Sequence, residues 1–401
     1  MYDVTIVGGG PTGFINALGL AQAGVKVRLV EAGPHIINSP RAMVYHWSVL
    51  EGLDRLGILA EAEGIGFRKQ DYTYLVHRTG ERIPYSLEVL EGHTPYPYNL
   101  HLGQHRLAEI AMARLGQLPN AEISFNARLT ALRQDADGVT LSIDTPSGPE
   151  EVRSAWVIGA DGAGSAVRQL LGLDFEGMTW PERFVATNVH YDFERHGYAR
   201  STLLIDDTYG AVIAKIDNEG LWRCTYMEDG ALPADTFMDR LPDFYREILP
   251  GADDYRVDMA TPYRMHQRSA SRYRVGRVVL AGDAAHATNP TGGLGLTSGL
   301  FDSYVLYPAL AAIVLEQADD AVLDRYSDER RAMFVDRASP QASANKQVIF
   351  HASGGGAMLE QTLAMLRRLS TDDDFRLDRL MFTRTLESAP LLDRSLAVLP
   401  S

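Results

Sequence analysis

The sequence contains one cysteine, Cys224, among 401 residues. A lone cysteine cannot form an internal disulfide, and it cannot supply a cysteine-based zinc or iron–sulfur site. A reducing compartment is the natural setting for such a chain, so we expect a cytoplasmic protein. No group of His, Asp and Glu at ligand spacing indicates a metal site.

Positive charge and long apolar runs are also scarce. There are 38 Lys and Arg against 52 Asp and Glu, which gives a net charge of −14. That balance argues against binding to nucleic acids or anionic membranes, although a local basic pocket for a small anion stays compatible with it. We find no run of 18 uncharged apolar residues and no signal-peptide pattern, so we expect no membrane span. The length suggests two or three domains or one composite domain.

The chain begins with a strand–helix–strand pattern. Residues 4–7 are a β-branched run, residues 14–23 carry apolar residues at helical spacing before Gly24, and residues 25–30 form a second strand. This pattern predicts a βαβ unit with a parallel strand pair.

Glycines occupy the turn of this unit. Gly8, Gly10 and Gly13 fit the G-x-G-x-x-G pattern, which allows a tight turn, close approach to a pyrophosphate, and close packing of helix on strand. Glu31 ends the second strand, where its carboxylate can accept hydrogen bonds from an adenosine ribose and would repel a 2′-phosphate. The unit therefore predicts bound FAD or NAD rather than NADP.

A second motif follows the apolar run 155–160. Asp161 and Gly162 end that strand, and Ser165 is placed to N-cap a helix over residues 166–171. Taken alone, the motif is as compatible with a structural turn as with a ligand site.

A third motif follows the apolar run 277–281. Asp283 stands at the strand end, where it can accept hydrogen bonds from a ribityl hydroxyl. The glycine-rich residues 290–297 then lead into a helix, and exposed backbone N–H groups there suit the negative charge of a reduced flavin.

For the rest of the chain, the sequence predicts only the approximate positions of helices and strands. Helices are expected over 42–62 and 102–115, an antiparallel sheet with a helix near 236–249 is expected over 184–264, and the chain after 321 is helix-rich. Tyr209, Trp222, Cys224 and Tyr226 lie in this sheet, and strand alternation should turn only part of them toward a ligand.

The three motifs, in this order and spacing, resemble the single-component FAD-dependent aromatic hydroxylases of the para-hydroxybenzoate hydroxylase type. The resemblance covers about residues 1–335, including the segment Tyr326 to Arg331. It implies a doubly wound α/β FAD-binding (Rossmann-like) domain with an inserted antiparallel substrate sheet and a helical C-terminal segment. The implied spans are 1–71, 98–175 and 265–335 for FAD, 72–97 and 176–264 for substrate, and 336–401 for the helical segment.

The resemblance also implies roles for individual residues. The residues implied to bind FAD are Gly8, Gly10, Pro11, Thr12, Gly13, Glu31, Arg41, Gln104, Asp161, Asp283, Gly293, Gly295, Leu296 and Thr297. Asp161 would also serve NADH or NADPH, which should bind transiently because no second glycine motif follows a strand. Leu294 and Thr297 depart from the residues common in the family.

Three further residues are candidate catalytic groups, namely His46, Tyr209 and Pro290. His46 and Tyr45 are expected on one helix with Arg41, where a core or surface role competes with a place near the flavin ring. Pro290 would sit on the substrate side of the ring. His286 is expected to belong to the flavin loop rather than to act as a base, and Cys224 to be a small buried residue.

The implied activity is a monooxygenase reaction. NADH or NADPH reduces FAD, a flavin C4a-hydroperoxide forms with O2, and oxygen is transferred to an electron-rich phenol or hydroxypyridine. Alternatives are an FAD-dependent epoxidase or reductase acting on a non-aromatic substrate, and a flavin redox switch without catalysis. A monomer or a homodimer is expected, with a small aromatic substrate and O2 as the binding partners.

Overall fold

The computed structural model describes residues 1–38, 42–217, 219–249, 254–351 and 356–392. The strands are β1 (Tyr2–Val7), β2 (Val27–Val30), β3 (Val44–Tyr45), β4 (Phe67–Lys69), β5 (Asp71–Val76), β6 (Arg82–Ser86), β7 (Asn99–His101), β8 (Ala121–Ser124), β9 (Arg128–Gln134), β10 (Val139–Thr145), β11 (Gly148–Gly159), β12 (Phe175–His190), β13 (Ser201–Ile205), β14 (Ala211–Lys215), β15 (Leu221–Asp229), β16 (Arg256–Ala270), β17 (Arg274–Val275), β18 (Val278–Leu280) and β19 (His286–Ala287).

The helices include one π-helical turn, Phe334–Ala338, between α8 and α9. The α-helices are α1 (Pro11–Gln22), α2 (Trp47–Arg55), α3 (Leu59–Ile65), α4 (Gln104–Leu115), α5 (Ala166–Leu170), α6 (Phe237–Ile248), α7 (Leu294–Val314), α8 (Val322–Met333), α9 (Ser339–Phe350), α10 (Gly356–Thr371) and α11 (Asp373–Met381).

A parallel sheet forms the first layer. Its parallel strands run in the order β18-β11-β1-β2-β8, and β9, β10 and β17 extend it with antiparallel pairs. Both β1 and β2 are almost entirely buried, as expected for strands covered on both faces. Helix α1 packs against both α4 and α7 beside this sheet. The doubly wound α/β domain expected from the sequence is confirmed.

A second sheet lies beyond the first, in the order β19-β16-β12-β15-β14-β13-β5-β6. One face packs against α6, where Trp222, Cys224 and Tyr226 join Phe244 and Tyr245 in a buried cluster. The opposite face meets α9 and α10. The inserted sheet agrees with the expectation in kind, but β13 and β5 pair in parallel, so the sheet is mixed rather than antiparallel throughout. The proposed boundary between residues 264 and 265 falls inside β16.

The segment 42–62 differs from the single helix that the sequence predicts. Val44 and Tyr45 form a short strand, α2 begins only at Trp47, and Gly57 separates α2 from α3 with a φ of +70°. Glycine adopts this left-handed conformation without steric cost, which is why the helix ends there. Tyr45 and His46 therefore do not lie on one helix, while Arg41 lies outside the described residues.

Helix α7 passes through the centre of the molecule. Among the described residues it is the one helix whose length and composition would suit a membrane span, but 83% of its most apolar 18-residue window is buried inside the fold. It also carries Asp302, which has no solvent exposure. The composition of α7 is that of a core helix.

Asp302 is held by three donors from different parts of the chain. Its carboxylate accepts from Gly282 N at 3.0 Å, from His286 Nε2 at 2.6 Å and from Arg330 Nε at 2.8 Å. Arg330, on α8, also donates to the carbonyl of Leu386 and to Ser388 Oγ. The hydrogen bonds of Arg330 therefore connect α7 and α8 to the segment that follows α11.

We predict that Arg330→Met destabilises the protein by about 3–5 kcal/mol, because it leaves the buried Asp302 carboxylate without its cation. The free energy of unfolding would be measured in urea. Arg246→Met is the control, since Arg246 pairs with Asp243 in solvent on α6 and should leave the free energy of unfolding nearly unchanged. Equal effects of the two substitutions would contradict the prediction.

Candidate functional site

A cavity of about 1050 Å³ joins the two sheets. It begins where β1, β2 and β11 end, and it reaches the face of the second sheet that is turned away from α6. Ligand pockets commonly measure roughly 300–1,000 Å³, so this one can hold a large ligand with a small one beside it. The carboxyl ends of parallel strands are the usual ligand-binding edge of such a sheet.

The glycine turn after β1 forms one end of the cavity. Gly8 has a φ of +115°, and a Cβ there would lie 2.3 Å from the carbonyl oxygen of Ala160. A Cβ on Gly13 would lie 2.0 Å from the carbonyl oxygen of Gly8, so Gly13 serves helix packing and does not line the cavity. Gly10 faces open space and does line it. The first turn of α1, with Pro11 and Thr12, opens onto the same space.

Glu31 lies beside this turn at the end of β2. Its carboxylate accepts from Gly9 N at 2.7 Å and from Gly33 N at 2.6 Å, and it lines the cavity. The two backbone donors fix the direction of the carboxylate, which keeps further lone pairs for a ligand.

The carboxylate of Asp161 is turned toward its own loop. It accepts from Ser165 Oγ and from Val167 N at 3.1 Å, while Ser165 Oγ caps α5 by accepting from Arg168 N at 3.0 Å. Burial raises the pKa of Asp161. The capping role predicted for Ser165 is confirmed, and the geometry favours the structural interpretation of the Asp161 side chain, although Asp161 also borders the cavity.

Arg168 connects the second motif to the third, a role that the sequence patterns did not predict. Its buried guanidinium donates to the carbonyls of Ala163 at 2.6 Å and Ala284 at 2.8 Å, and it covers the ring of Phe175. A single arginine in the apolar surroundings of α5 was the signal that could have identified it.

The third motif forms the opposite wall. Asp283 lies on a 3₁₀ turn, Gly282–Ala284, and borders the cavity. Gly293 precedes α7 with a φ of +68°, and Gly293, Gly295 and Leu296 line the cavity. Thr297 does not, because its hydroxyl is buried and donates to the carbonyl of Gly293 at 3.0 Å.

Other contacts hold this loop in place. The amide oxygen of Gln267 accepts from Thr288 and Asn289, and Asn345 on α9 donates to the carbonyl of Thr291. Gln341 orients Asn345 and lines the cavity with it. Helix α9 lies outside the FAD-binding spans expected from the sequence, so only the fold brings these two residues here.

Gln104, Pro290 and His46 all border the cavity. Gln104 is the first residue of α4, and Pro290 is exposed to the cavity. His46 Nε2 lies 2.7 Å from the carbonyl oxygen of Gly292, so that nitrogen carries the proton. Burial lowers the pKa of His46, which keeps the ring neutral. His46 therefore contacts the loop before α7 and lies just ahead of α2, not within a helix.

The structure removes Tyr209 from the set of candidate catalytic residues. It does not border the cavity, and its ring packs 6.0 Å from that of Phe244 on the α6 side of the sheet. Trp222, Cys224 and Tyr226 are alternate residues of β15, and all three face α6. Their neighbours Arg223 and Thr225 line the cavity instead.

Arg223 is a buried cation at the cavity wall. Its Nε and Nη2 donate to Asn188 Oδ1 at 3.1 and 3.0 Å. Burial lowers the pKa of Arg223 to about 10, so the side chain is still positively charged at neutral pH. The sequence offered no means of choosing Arg223 over its neighbours, because alternation does not say which face meets the ligand.

Comparison with known proteins agrees with this arrangement. The family described as "FAD binding domain" matches residues 1–338. The chain is 42% identical to 6-hydroxy-3-succinoylpyridine 3-monooxygenase HspB of Pseudomonas putida S16 over 386 residues, 96% of this chain and 98% of that protein. It is 45% identical to para-nitrophenol 4-monooxygenase of Pseudomonas sp. WBC-3 over 346 residues, 85% of this chain and 86% of that protein.

Solved structures show the same architecture. The crystal structure of p-nitrophenol 4-monooxygenase PnpA from Pseudomonas putida DLL-E4 aligns with a TM-score of 0.93 and 40% identity, covering 97% of this chain and 98% of that one. A ternary complex of aklavinone-11 hydroxylase with FAD and aklavinone aligns with a TM-score of 0.79 and 26% identity, covering 88% and 70%. The chain therefore belongs to the FAD binding domain family, as a flavoprotein monooxygenase of the single-component aromatic hydroxylase type.

Proposed function

We propose that the chain uses NADH or NADPH and O2 to hydroxylate a small anionic phenol or hydroxypyridine. The observation that carries the proposal is the continuous cavity, which has a dinucleotide-type glycine turn at one end and the buried cation Arg223 at the other. When bound, FAD accepts electrons from the nicotinamide and activates O2 for transfer of one oxygen atom to an aromatic carbon.

The residues at the glycine end fit FAD. The first turn of α1 offers its positive dipole end to the pyrophosphate, and Gly10 leaves room for close approach. Glu31 would accept from the adenosine ribose and Asp283 from the ribityl chain. The first turn of α7, at Gly293 and Leu294, would favour negative charge at the pyrimidine end of the flavin.

Apolar side chains enclose the other half of the cavity. Phe184, Leu203 and Met265 come from the second sheet, and Leu366 and Phe375 come from α10 and α11. Their surfaces exclude water from the place where oxygen would be transferred, which limits loss of the oxidant to solvent. His46 and Pro290 border the cavity from the loop side, where they would position the substrate against the flavin ring.

Arg223 favours a substrate that carries negative charge. An ionised aromatic hydroxyl has this charge, and it raises electron density at the ortho and para carbons that an electrophilic oxygen attacks. In the names of both bacterial relatives the oxygenated position is the carbon that bears the succinoyl or the nitro group, which is para to the hydroxyl. We therefore expect oxygen to enter this chain's substrate at a substituted para carbon, where the bond from that carbon to its substituent breaks and the substituent leaves the ring.

The activity predicts incorporation of one atom from O2. Holoenzyme, NADH or NADPH and a panel of para-substituted phenols and hydroxypyridines would be incubated under oxygen-18 gas, with products analysed by mass spectrometry. A substrate should stimulate oxidation of the nicotinamide, and its product should carry one labelled oxygen. Label found only in peroxide or water across the panel would favour a reductase, an oxidase or a redox switch.

The two carboxylates are expected to differ in which part of FAD they hold. Glu31→Gln should weaken FAD binding and leave FMN binding unchanged, because FMN lacks the adenosine. Asp283→Asn should weaken both flavins, because both have the ribityl chain. Loss of a charge-assisted hydrogen bond corresponds to roughly 10- to 150-fold in affinity. Flavin fluorescence during titration of apoprotein would measure it.

Each variant is the control for the other, since both keep the size of the side chain. Equal loss of FAD and FMN affinity in Glu31→Gln would show that Glu31 acts only through the glycine turn that it holds.

Arg223→Gln should lower affinity for 4-nitrophenolate roughly tenfold or more, and should leave affinity for uncharged nitrobenzene unchanged. Binding would be followed by difference spectra of holoenzyme without the nicotinamide. In the wild type, affinity for a permanently anionic ligand such as benzoate should fall as pH rises through about 10, where Arg223 loses its charge. Arg200→Gln is the matched control, because Arg200 is half-exposed and pairs with Glu194 away from the cavity.

A further inference from the structure

Three polar groups form a directed chain at the edge of the substrate half of the cavity. The backbone N–H of Trp47 donates to Asn99 Oδ1 at 2.9 Å, and Asn99 Nδ2 lies 2.6 Å from the hydroxyl of Tyr72. Asn99 and Tyr72 are at least nine-tenths buried, and all three residues line the cavity. They come from α2, β7 and β5, so tertiary packing alone assembles them.

The chemistry of the first group fixes the direction of the whole chain. A backbone N–H can only donate, so the atom of Asn99 that faces Trp47 must be the oxygen. The NH2 group of Asn99 therefore faces Tyr72 and donates to it. The hydroxyl of Tyr72 accepts that bond, which leaves its own proton to be donated elsewhere. Within the described part of the chain, no hydrogen-bond acceptor meets that proton.

The ring of Tyr72 is held firmly on both sides. It stacks on Tyr85 with centroids 5.2 Å apart and planes inclined by 17°, and Lys69 Nζ lies 3.4 Å from its centroid. Lys69 also donates to the carbonyl of Asp71. Burial raises the pKa of Tyr72, so the hydroxyl keeps its proton at neutral pH. Tyr72 is thus a fixed donor.

Tyr72 shares a row of the second sheet with Arg223. Arg223 pairs with Ala214, and Ala214 pairs with Ser201. The parallel register that sets Tyr74 opposite Leu203 places Tyr72 next to Ser201. Three strand spacings separate the backbones of Tyr72 and Arg223, about 14 Å. Both residues line the cavity, so a phenolate held by Tyr72 also lies in the electrostatic field of the Arg223 cation.

We infer that Tyr72 binds the ionised hydroxyl oxygen of the aromatic substrate, and that Asn99 is a positioning residue which directs the proton of Tyr72 toward that oxygen. The inference rests on the proposed function for the identity of the substrate. It goes further by assigning the end of the cavity at which the aromatic hydroxyl is bound.

The first test measures binding rather than turnover. Holoenzyme without nicotinamide would be titrated with 4-nitrophenol over a range of pH, and the phenolate band would be read in difference spectra. In the wild type the bound probe should ionise at a lower pH than the free probe. Tyr72→Phe should lower affinity for the phenolate roughly 10- to 100-fold and return the ionisation of the bound probe toward its free value. Affinity for nitrobenzene, which lacks the hydroxyl, should not change.

Asn99→Asp tests the direction of the chain. The carboxylate is nearly the same shape, but it accepts from both Trp47 N–H and Tyr72 O–H, so it takes the proton that the substrate would receive. Its effect should match that of Tyr72→Phe, and adding it to Tyr72→Phe should cause little further loss. A merely structural role of Asn99 would weaken nitrobenzene binding as well.

Tyr74→Phe is the matched comparison, because Tyr74 lines the cavity two residues along the same strand and, among the residues that the structure describes, none forms a hydrogen bond that directs its proton. It should retain most of the affinity for the phenolate. The inference is overturned if Tyr72→Phe binds and ionises the probe as the wild type does, or if the wild type does not prefer the phenolate to nitrobenzene. Intact phenolate binding without labelled product would instead overturn the proposed function and leave the role of Tyr72 standing.

Discussion

The buried carboxylate of Asp302 is the interaction on which the cofactor side of this molecule depends. An ionised carboxylate in a protein interior is costly unless it is paired and fully hydrogen-bonded, and Asp302 meets both conditions through Gly282, His286 and Arg330. Burial by itself would raise the pKa of Asp302, but the interactions with His286 and Arg330 lower it below its ordinary value. One charge therefore fixes the turn that carries Asp283, the long helix α7, and the orientation of α8.

Arg168 plays a similar part on the other side of the cavity. Its guanidinium satisfies one carbonyl in the loop after β11 and another in the loop after β18. Because one guanidinium binds both carbonyls, the two loops keep a constant separation where they border the cavity. Arg168 and Arg330 both bind groups of the protein itself, and neither lines the cavity. A frame of this kind positions ligand-binding loops more closely than loop sequence alone can.

On the substrate side, the decisive constraint is which alternate residues of β15 face the cavity and which face α6. Trp222, Cys224 and Tyr226 face α6, so Arg223 and Thr225 face the cavity. A shift of a single residue would reverse the two sets and would turn an aromatic cluster toward the ligand. The same sheet turns Tyr72 toward the cavity from β5. Its parallel pairing with β13 joins a strand from early in the chain to the inserted sheet. The cavity therefore has a cation and a fixed hydroxyl donor on one row of strands.

The sequence by itself determined the nucleotide-binding half of the fold. A strand, a glycine turn, a helix and a second strand that ends in an acidic residue follow one another within one short stretch of the sequence. The local periodicity of apolar residues and the steric freedom of glycine are enough to identify them. The prediction of one helix over residues 42–62 was wrong, because Gly57 and the pairing of Val44 and Tyr45 with β7 override a helical apolar pattern. Tyr209 was misplaced because periodicity shows that a strand has two faces but not which one meets the ligand. The tertiary structure alone decided the partners of Asp302, the contacts of Arg168, and the meeting of Trp47, Asn99 and Tyr72. These contacts join residues far apart in the chain, and their selectivity comes from hydrogen-bond direction and burial, which no local pattern records.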